Sequence, residues 1–204
     1  MTGIDGAGTT APDPSRPAQA RRRWALFAAL ALTIVAADQL AKTLVTRSLA
    51  PGQSVDVVGD LVRIVFGQNS GALFGLFKDN ALMFGVVSLV VVGLIVVYHA
   101  RTNASLYLTM TLGLLLGGAI GNMIDRLRLR YVVDFVDVGL GPTRFYTFNV
   151  ADSAISLAIL LLFVAALRPS LVDGSAQAKP ASGARPSAHG DADDWDDEPA
   201  GSPR

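Results

Sequence analysis

The chain contains no cysteine and only two histidines, His99 and His189, among its 204 residues. Without a thiol there is no disulfide, no thiolate nucleophile and no Cys-type metal site. His99 falls at the end of an apolar run and His189 in a polar tail, so a His-based triad or a His-rich metal centre is hard to build from them. A surplus of one charge is missing too, since 17 basic residues balance 17 acidic ones. That balance says nothing about partners, and no nucleic acid is expected among them.

What the chain has in abundance is apolar sequence. It is 51% hydrophobic, with a mean hydropathy of +0.43. The apolar residues come in four blocks near membrane-spanning length, at 24–45, 81–98, 104–124 and 150–167. The second block is free of charge. The first and fourth carry ionisable residues. The expected fold is an all-α integral membrane protein with four transmembrane helices and small extracytoplasmic β elements. Its core is expected at 23–168, between disordered cytoplasmic tails at 1–22 and 169–204. Both tails are rich in small and polar residues and cannot bury enough apolar surface to offset chain entropy.

Orientation rests on Arg21, Arg22 and Arg23, which directly precede the first span and hold that end in the cytoplasm. The first span is expected to be an uncleaved helix, because its apolar stretch exceeds a typical signal-peptide core. Four spans then bring both termini to the cytoplasm. Segments 46–80 and 125–149 fall on the outer side, where they carry Arg63, Lys78, Arg126, Arg128, Arg130 and Arg144. Within them SVDVV, LVRIVF and the two pieces flanking Gly139–Pro142 read as short strands. In the third span Gly113, Gly117 and Gly121 recur every four residues with Gly118 beside them, a stripe that lets a neighbouring helix approach closely.

The polar residues within this apolar chain need an explanation. Asp38 and Lys42 share one face of the first span, either as a mutually satisfied pair or as a substrate contact. Asn69 precedes the second span. Asn122, Asp125 and Arg126 close the third, as a capped helix end with a local ion pair or as part of a site. Asn149 and Asp152 open the fourth as N-cap and third helical residue. With Asp134, eight of these groups map to the outer end of the bundle, which argues for a site. Two carboxylates at a membrane-edge cavity suggest acid–base chemistry on a water.

Five short pieces carry a resemblance: DQLAK (38–42), NSGALFG (69–75), GGAIGNMIDR (117–126), VVDF (132–135) and FNVAD (148–152). In this order, with four spans, the sequence resembles the bacterial lipoprotein signal peptidases (signal peptidase II), over residues 35–167. The resemblance implies an intramembrane aspartic endopeptidase. Such an enzyme cleaves the signal peptide of lipid-modified prolipoproteins before the diacylglyceryl cysteine. It works in the bacterial inner membrane, at the outer face, with membrane lipids around it and with no metal or other cofactor. Carried over by motif, Asp134 and Asp152 are the catalytic pair. Asp38, Lys42, Asn69, Gly71, Asn122, Arg126 and Asn149 line the site, and Asp125 is a structural partner of the arginine. Members of that family often carry Gly where this chain has Arg130, a departure that bears on loop shape and not on chemistry. Two close carboxylates cannot both ionise. Asp152, at a helix N-terminus, is expected as the base and Asp134 as the holder of the proton.

Two other readings are compatible with some of these features. In one, Asp38, Asp125 and Asp152 form the cation path of a small carrier or channel. In the other, a structural bundle recruits partners through the acidic run near the C-terminus.

Overall fold

A computed structural model of the protein describes residues 16–70, 81–102 and 104–172. Four helices dominate: α1 (Arg16–Ser48), α2 (Ala81–Arg101), α3 (Leu106–Leu129) and α4 (Val150–Leu167). All four are long and apolar enough to cross a membrane. Between them lie β1 (Ser54–Val58), β2 (Val62–Asn69), β3 (Val132–Leu140) and β4 (Thr143–Arg144). The strands form one antiparallel sheet in the order β1-β2-β3-β4 at the end of the bundle where α1 and α3 finish and α4 begins.

α3 is the central helix. It packs against each of the other three and is the most buried of them. The glycine stripe explains how. A Cβ on Gly117 would stand 2.8 Å from the Ala31 carbonyl oxygen of α1, and one on Gly118 would stand 2.5 Å from the Ala151 carbonyl oxygen of α4. The stripe thus admits two neighbours on adjacent faces. On the outward faces of α1, α2 and α4, leucines and valines such as Leu32, Leu94 and Leu160 are exposed, as lipid contact requires.

Two boundaries differ from the sequence-based expectation. α1 begins at Arg16, inside the segment read as a tail over 1–22. Ala18, Gln19, Ala20 and the three arginines are good helix formers, and Pro17 is tolerated in a first turn. α3 runs on to Leu129, so Asp125, Arg126 and Arg128 belong to a helix and not to the outer loop. It ends at Arg130, whose φ of 68° is left-handed. Members of the resembled family often carry Gly at this position, and a left-handed helix C-cap favours glycine.

The sheet positions Asp134. β3 pairs with β2 so that Gly67 faces Asp134 and Asn69 faces Val132. Val133 and Phe135 pack into a cluster with Val45 of α1 and Phe66 of β2. The period of two along the strand then turns Asp134 to the opposite face. Gly67 keeps this approach open, since a Cβ on it would stand a tight 3.0 Å from the Asp134 carbonyl oxygen.

Candidate active site

α4 starts with a reciprocal capping arrangement. Asn149 Oδ1 accepts the Asp152 backbone N–H at 2.8 Å, and Asp152 Oδ2 accepts the Asn149 backbone N–H at 3.2 Å. These two bonds satisfy donors that a helix start leaves open. The cap also frees the Asn149 amide to donate outward. Its Nδ2 reaches Asp134 Oδ1 at 2.8 Å and Asn122 Oδ1 at 3.2 Å. One asparagine therefore touches both aspartates, Asp152 through its backbone and Asp134 through its side chain.

Each carboxylate has a second amide donor. Asn122 Nδ2 donates to Asp152 Oδ1 at 2.7 Å, and Asn69 Nδ2 donates to Asp134 Oδ2 at 3.0 Å. Asp134 is nearly fully buried. Burial raises its carboxyl pKa from 3.8 to about 6, the negative charge of Asp152 adds to the rise, and the amides of Asn69 and Asn149 with the Lys42 charge oppose it.

Both aspartates open on a cavity of about 1070 Å³ between α2, α3, α4 and the 145–148 segment. Its floor is polar, with Asn69, Asn122, Arg126, Asp134 and Asp152, and its walls are apolar, with Val87, Val91, Leu115, Ile155 and Ile159. Arg126 is held in this floor by two contacts. Its Nη1 donates to the Asn122 carbonyl oxygen at 3.4 Å, and its guanidinium lies 5.8 Å from the Phe84 ring centre.

Behind the cavity wall stands a second polar layer. Lys42 Nζ lies 2.7 Å from Asp38, 2.8 Å from Asp125 and 3.2 Å from Asn122 Oδ1. Asp38 also accepts the backbone N–H of Ala151 at 3.0 Å. Asp125 accepts the Val133 backbone N–H at 3.1 Å and Gln39 Nε2 at 2.9 Å. All four carboxylate oxygens and the lysine ammonium are engaged, which is the condition for holding charge in a nonpolar interior.

The structure sorts the residues named from the sequence. Asn69, Asn122, Arg126, Asp134 and Asp152 come together on the cavity, with Asn149 buried between the two aspartates. Asp38 and Lys42 do not line it; they stand one layer back, holding α1 to α3 and α4. Asp125 pairs with Lys42 and not with Arg126, because it faces α1 whereas Arg126 faces the cavity. Gly71 lies outside the described residues. Gln39 was missed. Its Nε2 bonds Asp38, Asp125 and the Gly121 carbonyl oxygen, and the only signal was its place inside the DQLAK piece.

Fold and site define the class: a four-helix membrane protein with paired acids at one end of the bundle. The sequence profile described as signal peptidase (SPase) II matches residues 30–168. The lipoprotein signal peptidase of Bacillus subtilis (strain 168) is 36% identical over 146 residues, covering 71% of this chain and 95% of that protein. That of Geobacillus kaustophilus is 39% identical over 136 residues, covering 66% of this chain and 88% of that protein. A bacterial membrane enzyme solved by the in meso method superposes with a TM-score of 0.65 at 28% identity, over 69% of this chain and 87% of the other. This chain belongs to the signal peptidase II family and is a bacterial membrane peptidase.

Proposed function

We propose that this chain hydrolyses the signal peptide of lipid-modified prolipoproteins before the diacylglyceryl cysteine, with Asp134 and Asp152 as an aspartic dyad. The observation that carries the reading is the bridging of two aspartates by one asparagine at the floor of an apolar-walled cavity. The relatives' shared name, lipoprotein signal peptidase, supports the substrate class.

Asp152 is the base. It sits in the first turn of α4, where the positive end of the helix dipole suits an anion. Asp134 holds the proton, in keeping with its raised pKa. Asp152 takes a proton from a water that attacks the scissile carbonyl carbon. Asp134 hydrogen-bonds the carbonyl oxygen as charge develops and gives its proton toward the leaving amine. Arg126 and the asparagines hold the carboxyl groups and the peptide in place. The valine and isoleucine walls receive the apolar signal helix and the acyl chains, which already lie in the bilayer.

In this reading both termini are cytoplasmic and the sheet end faces outward, following the Arg21–Arg23 cluster. The carrier reading lacks support: Asp38 and Asp125 are locked on Lys42, and the acids gather at one end of the bundle. The test is incubation of the purified protein with a diacylglyceryl-modified prolipoprotein and with its unmodified form. Mass analysis should show cleavage before the cysteine in the modified form alone. An intact modified substrate would contradict the reading.

A further inference from the structure

The arginines at the sheet end divide into three groups. Arg63 and Arg144 are paired with Asp56, Asp60 and Asp137, and Arg126 belongs to the cavity. Arg47, Arg128 and Arg130 are exposed and make no ion pair among the described residues. They stand at the last turns of α1 and α3. On the orientation proposed above, on which this inference rests, this is the outer side, where short membrane loops are depleted in Lys and Arg. Arg47, Arg128 and Arg130 thus make a basic patch at this end of the bundle.

A second cavity, of about 410 Å³, opens at this place, between α1 and the end of α3. It is separate in lining from the aspartate cavity, and Arg128 lies on its wall with Tyr131. Lys42 and Asp125 form its floor and are already bound to each other. The Asp125 oxygens accept Gln39, Val133 and Lys42, so its lone pairs are in use, and Lys42 divides its charge between Asp125 and Asp38. Thr43 and Thr46 also line the cavity, with their hydroxyl protons spent on the Gln39 and Thr43 carbonyl oxygens. What they still offer is acceptor oxygen. The cavity therefore presents a guanidinium for an anion beside acceptors for a hydroxyl.

The surroundings identify the source of that anion. Leu40 and Leu44 of α1 are 62% and 57% exposed, and Leu129 lines the cavity mouth. Leu40, Thr43 and Arg47 recur at i, i+3 and i+7, one stripe running from apolar to basic. Such a stripe fits a molecule with acyl chains below and a charged head above. A guanidinium at the end of a span is suited to the phosphate of an anionic lipid head. We propose that this cavity seats the phosphodiester head of an anionic, hydroxyl-bearing phospholipid of the outer leaflet, held by Arg128 with Arg47 on the rim.

The absence of cysteine allows a direct test. The full chain with Leu44→Cys carries one fluorophore and is placed in nanodiscs of phosphatidylcholine. Spin-labelled phosphatidylglycerol or spin-labelled phosphatidylcholine is added at equal fraction. Phosphatidylglycerol should quench more strongly, by roughly twofold or more. The preference should vanish when Arg47→Gln and Arg128→Gln are combined, and both substitutions are of exposed side chains. Equal quenching by the two lipids, or a preference that survives both substitutions, overturns the proposal. So does loss of the preference on adding millimolar glycerol phosphate, which would assign the cavity to a soluble anion. If the substituted chain does not fold, the lipid comparison and the glycerol phosphate arm on the parent chain still decide. Cleavage is not the readout, so failure here leaves the peptidase reading standing.

Discussion

Asp38 Oδ1 accepts the backbone N–H of Ala151 at 3.0 Å, so a carboxylate of the first helix caps the fourth one residue ahead of Asp152. The same carboxylate binds Lys42, which binds Asp125 and Asn122, and Asn122 donates to Asp152. The charged layer behind the cavity thus reaches the dyad along two routes, one through the α4 backbone and one through an amide.

Removing one partner from this layer leaves a buried charge without compensation. Asp38→Ala is expected to destabilise the protein by about 3–5 kcal/mol. Asp38→Asn keeps an oxygen for the Ala151 N–H and should cost less. Denaturant unfolding in micelles measures both. A loss below about 1 kcal/mol for the alanine variant would show that the layer is not bound together as described.

The glycines of α3 give a prediction about position. A Cβ on Gly118 would meet the Ala151 carbonyl oxygen at 2.5 Å and Ile155 Cγ1 at 2.7 Å. Gly118→Ala must push α4 outward, and Asp152 moves with it. Cleavage should fall by about tenfold or more, since small displacements of reacting groups are costly. Gly93 has nothing within 4 Å of an added Cβ. Gly93→Ala should leave cleavage unchanged and stabilise α2 by up to about 1 kcal/mol.

Arg130 ends α3 with φ 68°. Glycine takes that conformation without the Cβ conflict, so Arg130→Gly should raise stability by about 1 kcal/mol. A rise in melting temperature in detergent, with cleavage retained, is the expected result.

The raised pKa of Asp134 sets the pH response. Its folded value near 6 exceeds the ordinary 3.8, so the folded state holds this proton more tightly than the unfolded chain. The resulting stability is present in full below pH 3.8 and is lost as pH rises through about 6. The span of that loss is about 3 kcal/mol from this group. Asp134→Asn cannot ionise, and its stability curve should be flatter over the same window. If Asp134 supplies the catalytic proton, kcat/KM should fall with unit slope above about pH 6. A rate that climbs through this range to a plateau would assign the proton elsewhere.

The helices were legible in the sequence because membrane spans are written in composition, and the strands because SVDVV and VVDF alternate between breakers. The gathering of Asp134, Asp152 and the three asparagines was legible because span ends and outer segments alike map to one end of the bundle. What each group faces was not legible. Asp125 and Arg126 are neighbours in sequence, yet one faces α1 and the other the cavity. That choice depends on how α3 is rotated against its neighbours, which the Gly117 and Gly118 contacts fix. For the same reason Asp38 and Lys42 read as lining but stand behind the wall. Gln39 went unseen because an amide between two charged residues has no signature of its own until Asp125, far along the chain, is brought beside it.

The central claim is that Asp134 and Asp152 perform the hydrolysis together. Single-turnover cleavage of a lipid-modified prolipoprotein by Asp134→Asn and by Asp152→Asn tests it most directly, with circular dichroism and melting temperature confirming that each variant is folded. The account predicts that each substitution slows cleavage by at least about 100-fold. Cleavage near the parent rate by either folded variant would contradict it.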